Sequence, residues 1–336
     1  MKYAFLTYVS AALFGLGVGA GCAVESTVTE ARGPTRTSDR PSGRSTERDQ
    51  EDDLEQLLDA SAPSDSDDEG DASAAADSGA VAQLDAGAAG RDGPKLEPVT
   101  SVEVAGPYEV TIEQAAGPNR GWIARPKNLG EGGFKHPVFS WGCGGGSQPS
   151  QYRDHLTRWA SHGFVVEAHV STGNAKDHTV VFDWVTSENE RQGSAYYQKL
   201  DPTKIAAGGH SMGSVATFAA ASDPRLSTTV HVAGGSFDGN GYRTLKKPVA
   251  YLAGANDALG ATQNAERDYK NTNDVPVFFT VMTGVDHIMA AREALAPITA
   301  WLRWHIAGET ERKAQFIGPS CDFCKGKFKS QSKGWD

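Results

Sequence analysis

Ser211 stands between two glycines in Gly209-His210-Ser211-Met212-Gly213, after the apolar stretch Lys204-Ile205-Ala206-Ala207-Gly208 and before the alanine-rich run Ser214 to Ser222, which Asp223-Pro224 closes. A serine in a tight strand-to-helix turn is forced into strained backbone angles and projects from the fold. The neighbouring chain passes so close that only glycine fits two residues to either side. Gly-x-Ser-x-Gly is also ordinary turn material, and it is the strand before and helix after that mark Ser211 as a nucleophile.

A nucleophilic serine needs a base to take its proton and a carboxylate to hold that base in one tautomer. Two later strands end in suitable residues. Pro248 to Ala253 turns off through Gly254-Ala255-Asn256-Asp257, and Val275 to Met282 turns off through Thr283-Gly284-Val285-Asp286-His287. Asp257 is expected to be the acid and His287 the base, giving the chain order serine, acid, histidine. Asp286 shares the loop of His287 and reaches the far ring nitrogen poorly; Asp238 and Asp274 are the remaining alternatives. His210 is held within the turn and is expected to point toward the sheet in a structural part. No role is assigned to His155, His162, His169, His178, His231 or His305.

Acyl transfer also needs two backbone N–H groups aimed at the oxygen that becomes negative. The residue after the nucleophile, Met212, supplies one. The other is expected from the glycine-rich run Gly142-Cys143-Gly144-Gly145-Gly146-Ser147, which follows the strand His136 to Trp141. Glycine lets amides converge on an anion, and Cys143, by its amide and not its thiol, is the expected donor. A flexible surface loop is the plain alternative.

The elements that must position these groups alternate from about residue 100 onward. Tyr108 to Gln114 and Gly121 to Arg125 read as a hairpin about Gly117-Pro118-Asn119. A helix near Ser150 to Ser161, a strand Gly163 to His169, and a helix between Thr179 and Lys199 with Val180, Val181, Trp184 and Val185 on one face precede the Ser211 turn. A strand at Thr228 to Ala233, the two strands bearing the acid and base, and a closing helix Ile288 to Ala307 follow. This is a layered α/β domain with a mostly parallel central sheet and helices on both faces, and open sheets of that kind bind ligands at the carboxyl ends of their strands.

The stretch from about Pro107 to Ala307 resembles the α/β-hydrolase fold, and within it the bacterial cutinase-like polyester hydrolases and the related dienelactone-hydrolase group. The resemblance rests on Ala160-Ser161-His162-Gly163-Phe164-Val165-Val166, Gly209-His210-Ser211-Met212-Gly213, Asn256-Asp257 and His287. It implies a triad of Ser211, Asp257 and His287, with an oxyanion hole at Cys143 and Met212. Two departures stand out. Those polyester hydrolases usually carry an aromatic side chain where this chain has Cys143, and a tryptophan just after the strand that follows the Ser211 helix, where Val232-Ala233-Gly234-Gly235-Ser236 stands. Both departures weigh against a polyester substrate far more than against ester hydrolysis.

The amino-terminal third reads differently. Lys2, the apolar stretch Ala4 to Val18 and the small residues Gly19-Ala20-Gly21 form an export signal over residues 1–21. Cys22 directly after them resembles the lipobox of bacterial lipoproteins, although Gly19 replaces the usual leucine. The resemblance implies an acylated Cys22 at the mature amino terminus and, with Ala23 second, an outer-membrane or cell-surface location; plain secretion to the periplasm or medium is the alternative. Residues 25–98 hold 19 acidic and 7 basic side chains and no aromatic ring, so this tract alone is more acidic than the chain's net charge of −10. Such a composition cannot bury enough apolar surface to offset ordering, so residues 22–99 are expected to be a disordered linker to a catalytic domain at 100–336. Nothing in it suggests nucleic-acid binding.

In an exported protein Cys321 and Cys324 are expected to form a disulfide in the tail, leaving Cys143 unpaired unless one tail cysteine reaches it. No metal site and no organic cofactor are expected. The function that follows is a serine esterase acting on a small or polymeric ester, anchored to a membrane by its lipid. Its rivals are a cell-surface binding lipoprotein that keeps the fold without turnover and a thiol enzyme using Cys143. The oligomeric state is not legible.

Overall fold

The computed structural model describes residues 95–335. Cys22, the export signal and the acidic tract as far as residue 94 lie outside the described residues. The folded region begins earlier than residue 100: Leu96 is buried, and Arg303 Nη2 donates to the Glu97 carbonyl at 2.7 Å.

The chain forms β1 (Val110–Glu113) and β2 (Trp122–Pro126), then β3 (His136–Gly142), α1 (Arg153–Ser161), β4 (Val165–His169), α2 (Lys176–Glu190), β5 (Leu200–His210), α3 (Met212–Ala220), β6 (Leu226–Val232), β7 (Val249–Gly254), α4 (Ala261–Asn271), β8 (Val277–Met282), α5 (Met289–Glu293), α6 (Leu295–His305) and β9 (Phe328–Lys333). All nine strands join one sheet in the order β1-β2-β4-β3-β5-β6-β7-β8-β9. β4, β3, β5, β6, β7 and β8 run parallel, with antiparallel β1 and β2 at one edge and β9 at the other.

Strands covered on both faces read as continuous apolar runs, because successive side chains enter different layers. Every residue of β3 is buried. Phe139 and Trp141 face Trp159 of α1 in a core that also holds Trp301 of α6 and Phe278 of β8. Val138 instead joins Val181 and Phe182 of α2 on the other face, where Tyr269 of α4 stacks on Phe279 of β8. Full burial of each of these large side chains contributes about 2–3 kcal/mol.

Two elements differ from the sequence reading. The closing helix is broken between α5 and α6. Pro297 has no N–H to give to residue 293, and a proline is accommodated only within a helix's first turn, so a new helix starts at Leu295. The strand β9 was not anticipated. Phe328-Lys329-Ser330-Gln331-Ser332-Lys333 has no apolar run, since an edge strand needs only one supporting face and gains from lysines that discourage further pairing. Among the described residues no helix is long and apolar enough to cross a membrane.

Candidate active site

The turn from β5 into α3 explains the two glycines. Ser211 has φ 55° and ψ −111°, a strained conformation for a residue with a side chain. A Cβ on Gly209 would lie 2.4 Å from the main-chain carbon of Gly213, and one on Gly213 would lie 2.0 Å from the Gly142 carbonyl oxygen. Ser211 N–H donates to the Val232 carbonyl at 2.9 Å, locking the turn onto β6.

Asp257 and His287 are brought together by their loops. Ala255 N–H donates to Met282 O at 2.9 Å and Asn256 N–H to Val285 O at 2.8 Å, so the turns after β7 and β8 are laced side by side. Across this seam His287 Nδ1–H donates to Asp257 Oδ2 at 2.7 Å. Burial raises the Asp257 carboxyl, but the hydrogen bonds from His287 and from the amides of Leu259 and Ala261 outweigh it and hold the group below its ordinary value. With Nδ1 so engaged, Nε2 of His287 is the nitrogen left to accept a proton. Asp286 is used elsewhere: its Oδ1 accepts from Met289 N–H at 2.8 Å, capping α5. Asp238 turns onto the Asn240 amide.

His210 Nε2 donates to the His287 carbonyl at 2.9 Å, and the two rings lie 5.1 Å apart. The histidine loop thus sits against the residue that precedes Ser211. A second carboxylate–imidazole pair, Glu167 Oε2 to His169 Nδ1 at 2.8 Å, is fully buried under the sheet and offers a substrate no access.

The glycine-rich run corrects one expectation. Cys143 N–H continues the parallel ladder, donating to His169 O at 3.0 Å, and therefore has no proton to offer an oxyanion. Gly144 N–H is taken by Tyr152 Oη at 3.0 Å. The Gly144 carbonyl accepts from Ser147 N–H at 2.9 Å, closing a turn with Gly146 at φ 74°. In a planar trans peptide the carbonyl and the following N–H point in opposite directions. The Gly145 N–H is therefore turned out of the loop, and a Cβ on Gly145 would stand 3.7 Å from Cβ of Met212. Met212 opens α3, where a helix leaves its N–H groups free. The two outward amides are those of Gly145 and Met212. The Cys143 thiol is fully buried, and burial, reinforced by Glu167, pushes its ionisation far up, so the thiol-enzyme reading is overturned.

Sequence reasoning also missed an aromatic. In the loop after β6 the glycine-rich stretch ends at Ser236, and Phe237 follows immediately and is 71% exposed. The loop is anchored on either side: Ser236 Oγ donates to Asp268 at 2.8 Å, and a Cβ on Gly234 would lie 3.3 Å from the Ser211 carbonyl oxygen. Cys321 and Cys324 form the tail disulfide, and Cys143 is free. Among the described residues no group of His, Cys, Asp and Glu is arranged to hold a metal ion.

Comparison with known proteins agrees with the fold. A family model described as PET hydrolase-like matches residues 87–333. No curated protein matches the chain. The family match spans well over half of the sequence and covers every strand described above; the chain belongs to the PET hydrolase-like family and is an α/β-hydrolase that hydrolyses esters as a serine hydrolase.

Proposed function

We propose that Ser211, His287 and Asp257 form the catalytic triad of this esterase and that the amides of Met212 and Gly145 form its oxyanion hole. The observation that carries the reading is the 2.7 Å bond from His287 to Asp257 on loops laced beside the strained Ser211. His287 Nε2 takes the Ser211 hydroxyl proton as Oγ attacks the ester carbonyl carbon. The carbonyl oxygen, now negative, is held by the two amides. His287 then passes the proton to the departing alcohol, leaving an acyl-serine. Water attacks the acyl carbon, gives a proton to His287, and the acid leaves as Ser211 regains its hydrogen. Asp257 orients the imidazole and stabilises its charged form throughout.

The substrate is an ester with apolar substituents, monomeric or polymeric. Of six large apolar side chains that are prominently exposed among the described residues, five follow the carboxyl ends of sheet strands: Val170 after β4, Phe237 after β6, Leu259 after β7, and Ile288 and Met289 after β8. An apolar rim on the face where α/β sheets bind ligands supports contact with a hydrophobic chain. Phe237 supplies an aromatic to the loop after β6, which leaves one departure, at Cys143, weighing against a polyester. We further propose that the enzyme is exported, acylated at Cys22 and tethered to the membrane by residues 22–94, on the leader's composition and the lack of apolar content that follows.

The test is hydrolysis of p-nitrophenyl esters of graded chain length and of a polyester film by the full chain, wild type beside Ser211→Ala and Phe237→Ala. Activity lost in Ser211→Ala supports the triad, and equal rates in the two would sink it. A loss in Phe237→Ala confined to the longer esters and the film supports the rim.

A further inference from the structure

His210 occupies the position between Gly209 and the nucleophile and is buried, yet both ring nitrogens are engaged by groups from other parts of the site. Gly144 N–H, in the oxyanion loop, donates to Tyr152 Oη at 3.0 Å. A phenol oxygen that receives an amide proton still has its own hydrogen to give, and Tyr152 Oη lies 2.8 Å from His210 Nδ1. The His287 carbonyl, 2.9 Å from Nε2, can only accept, so the hydrogen of the neutral ring resides on Nε2 and Nδ1 is left to accept from Tyr152. Each link has one possible donor. The hydrogens therefore run in a single direction, from Gly144 through Tyr152 and His210 to His287.

We infer that Tyr152 and His210 form a positioning relay that holds the oxyanion loop and the catalytic histidine in one frame about Ser211. The inference rests on the triad proposed above but assigns residues outside it. The physical need is specific. Ser211 with the Met212 amide, the Gly145 amide, and His287 come from three separate strand ends, those of β5, β3 and β8, and no strand pairing joins β3 or β5 directly to β8. Catalysis requires all three to agree to within a fraction of an ångström. Pairing within the sheet fixes Cys143, through His169, but stops there; the next residue, Gly144, is fixed by Tyr152 instead. Tyr152 is itself buried ahead of α1, its ring against Trp141 and His155. Burial, the largest influence on both, holds His210 down to about 4 and lifts Tyr152 up to about 12, so one arrangement of protons persists through the neutral range. Neither residue is placed to touch the reacting atoms; both act on where those atoms sit.

The test is a double-mutant cycle in the full-length protein with Tyr152→Phe, His210→Leu and the double variant, read as kcat and KM on a p-nitrophenyl ester well below the melting temperature. Tyr152→Phe keeps the ring and removes only the oxygen. Each single change should lower kcat roughly 10- to 100-fold with KM little changed, because misplacement is felt chiefly in the transition state. The double variant should be no worse than the weaker single one, since either break severs the same chain; independent residues would multiply. His210→Gln, which can still donate to the His287 carbonyl, should recover part of what His210→Leu loses. Hydrogen exchange gives a readout independent of turnover: Tyr152→Phe should speed exchange in residues 142–147 and also in residues 284–289. Wild-type kcat in Tyr152→Phe, multiplicative losses, or faster exchange in the first segment alone would overturn the relay. Absence of ester hydrolysis by the wild type would instead remove the triad reading, while exchange still decides the relay.

Discussion

Replacing Gly213 with alanine tests how tightly the nucleophile turn is wedged. The added Cβ would stand 2.0 Å from the Gly142 carbonyl oxygen and 2.4 Å from its carbon, whereas ordinary contact begins at 3.4 Å. Neither partner is a side chain that can swing aside. Gly209, the register partner of Gly142 on β5, lies against Gly213 as well, where its own Cβ would meet the Gly213 main chain at 2.4 Å. The start of α3 must therefore move off the end of β3. Relief requires roughly 1.4 Å, and a misplacement of about 1 Å costs on the order of 100-fold in rate. The pair that separates is the pair that carries the proposed oxyanion amides, Met212 on α3 and Gly145 beyond β3. Overpacking of this kind costs about 1–3 kcal/mol, and a domain of this size loses about 2–4 °C per kcal/mol. Gly193→Ala serves as the control. Gly193 has φ 84° and nothing within 4 Å, so alanine there costs about 1–2 kcal/mol through backbone strain alone. Steady-state kinetics and thermal melts on both variants should show comparable loss of stability but a fall in kcat only in Gly213→Ala. Wild-type kcat in Gly213→Ala, or an equal fall in both, would refute the reasoning.

Asp257→Asn should lower kcat by about 10³- to 10⁴-fold, since the amide no longer holds His287 in the right tautomer, whereas Asp286→Asn, whose amide oxygen can still accept from Met289 N–H, should keep both kcat and stability; the reverse ranking would reassign the acid. Cys143→Ala should retain kcat, and the native thiol should resist iodoacetamide until the protein unfolds, because it is fully buried and protonated. Prompt alkylation with loss of activity would revive the thiol. Acid should destabilise the fold early. Burial holds His162 and His210 down to about 4 and His231 to about 3. The unfolded chain, with histidines near 6.5, then binds more protons below that pH, so stability is complete above it and declines as pH falls toward 4. The slope reaches roughly 1.4 kcal/mol per pH unit for each histidine. Denaturant midpoints at pH 7, 5.5 and 4.5 measure it, and a flat profile would mean these rings take up protons while folded.

Much of this protein was legible from local sequence. The Gly209-to-Gly213 turn, the strands around it and the parallel sheet follow from apolar runs and glycine spacing, because a buried strand must be apolar and a turn this tight must lack Cβ atoms. Chain order and reach alone favour Asp257 over Asp286, and in the structure Asp257 accepts from His287 while Asp286 accepts from Met289 N–H. What local sequence could not decide was where individual amides and edges go. Cys143 sits in the glycine run as plausibly as Gly145, but only the register of β3 against β4 spends its N–H on His169. The polar strand β9 has no signature apart from β8, and the break before Pro297 depends on whether the helix starts ahead of it or resumes at it. The link from Tyr152 to His210 to His287 spans separations of 58 and 77 residues. Periodicity reports which face a residue takes within its own element, whereas hydrogen bonds between elements depend on their relative placement, which packing of the whole domain sets.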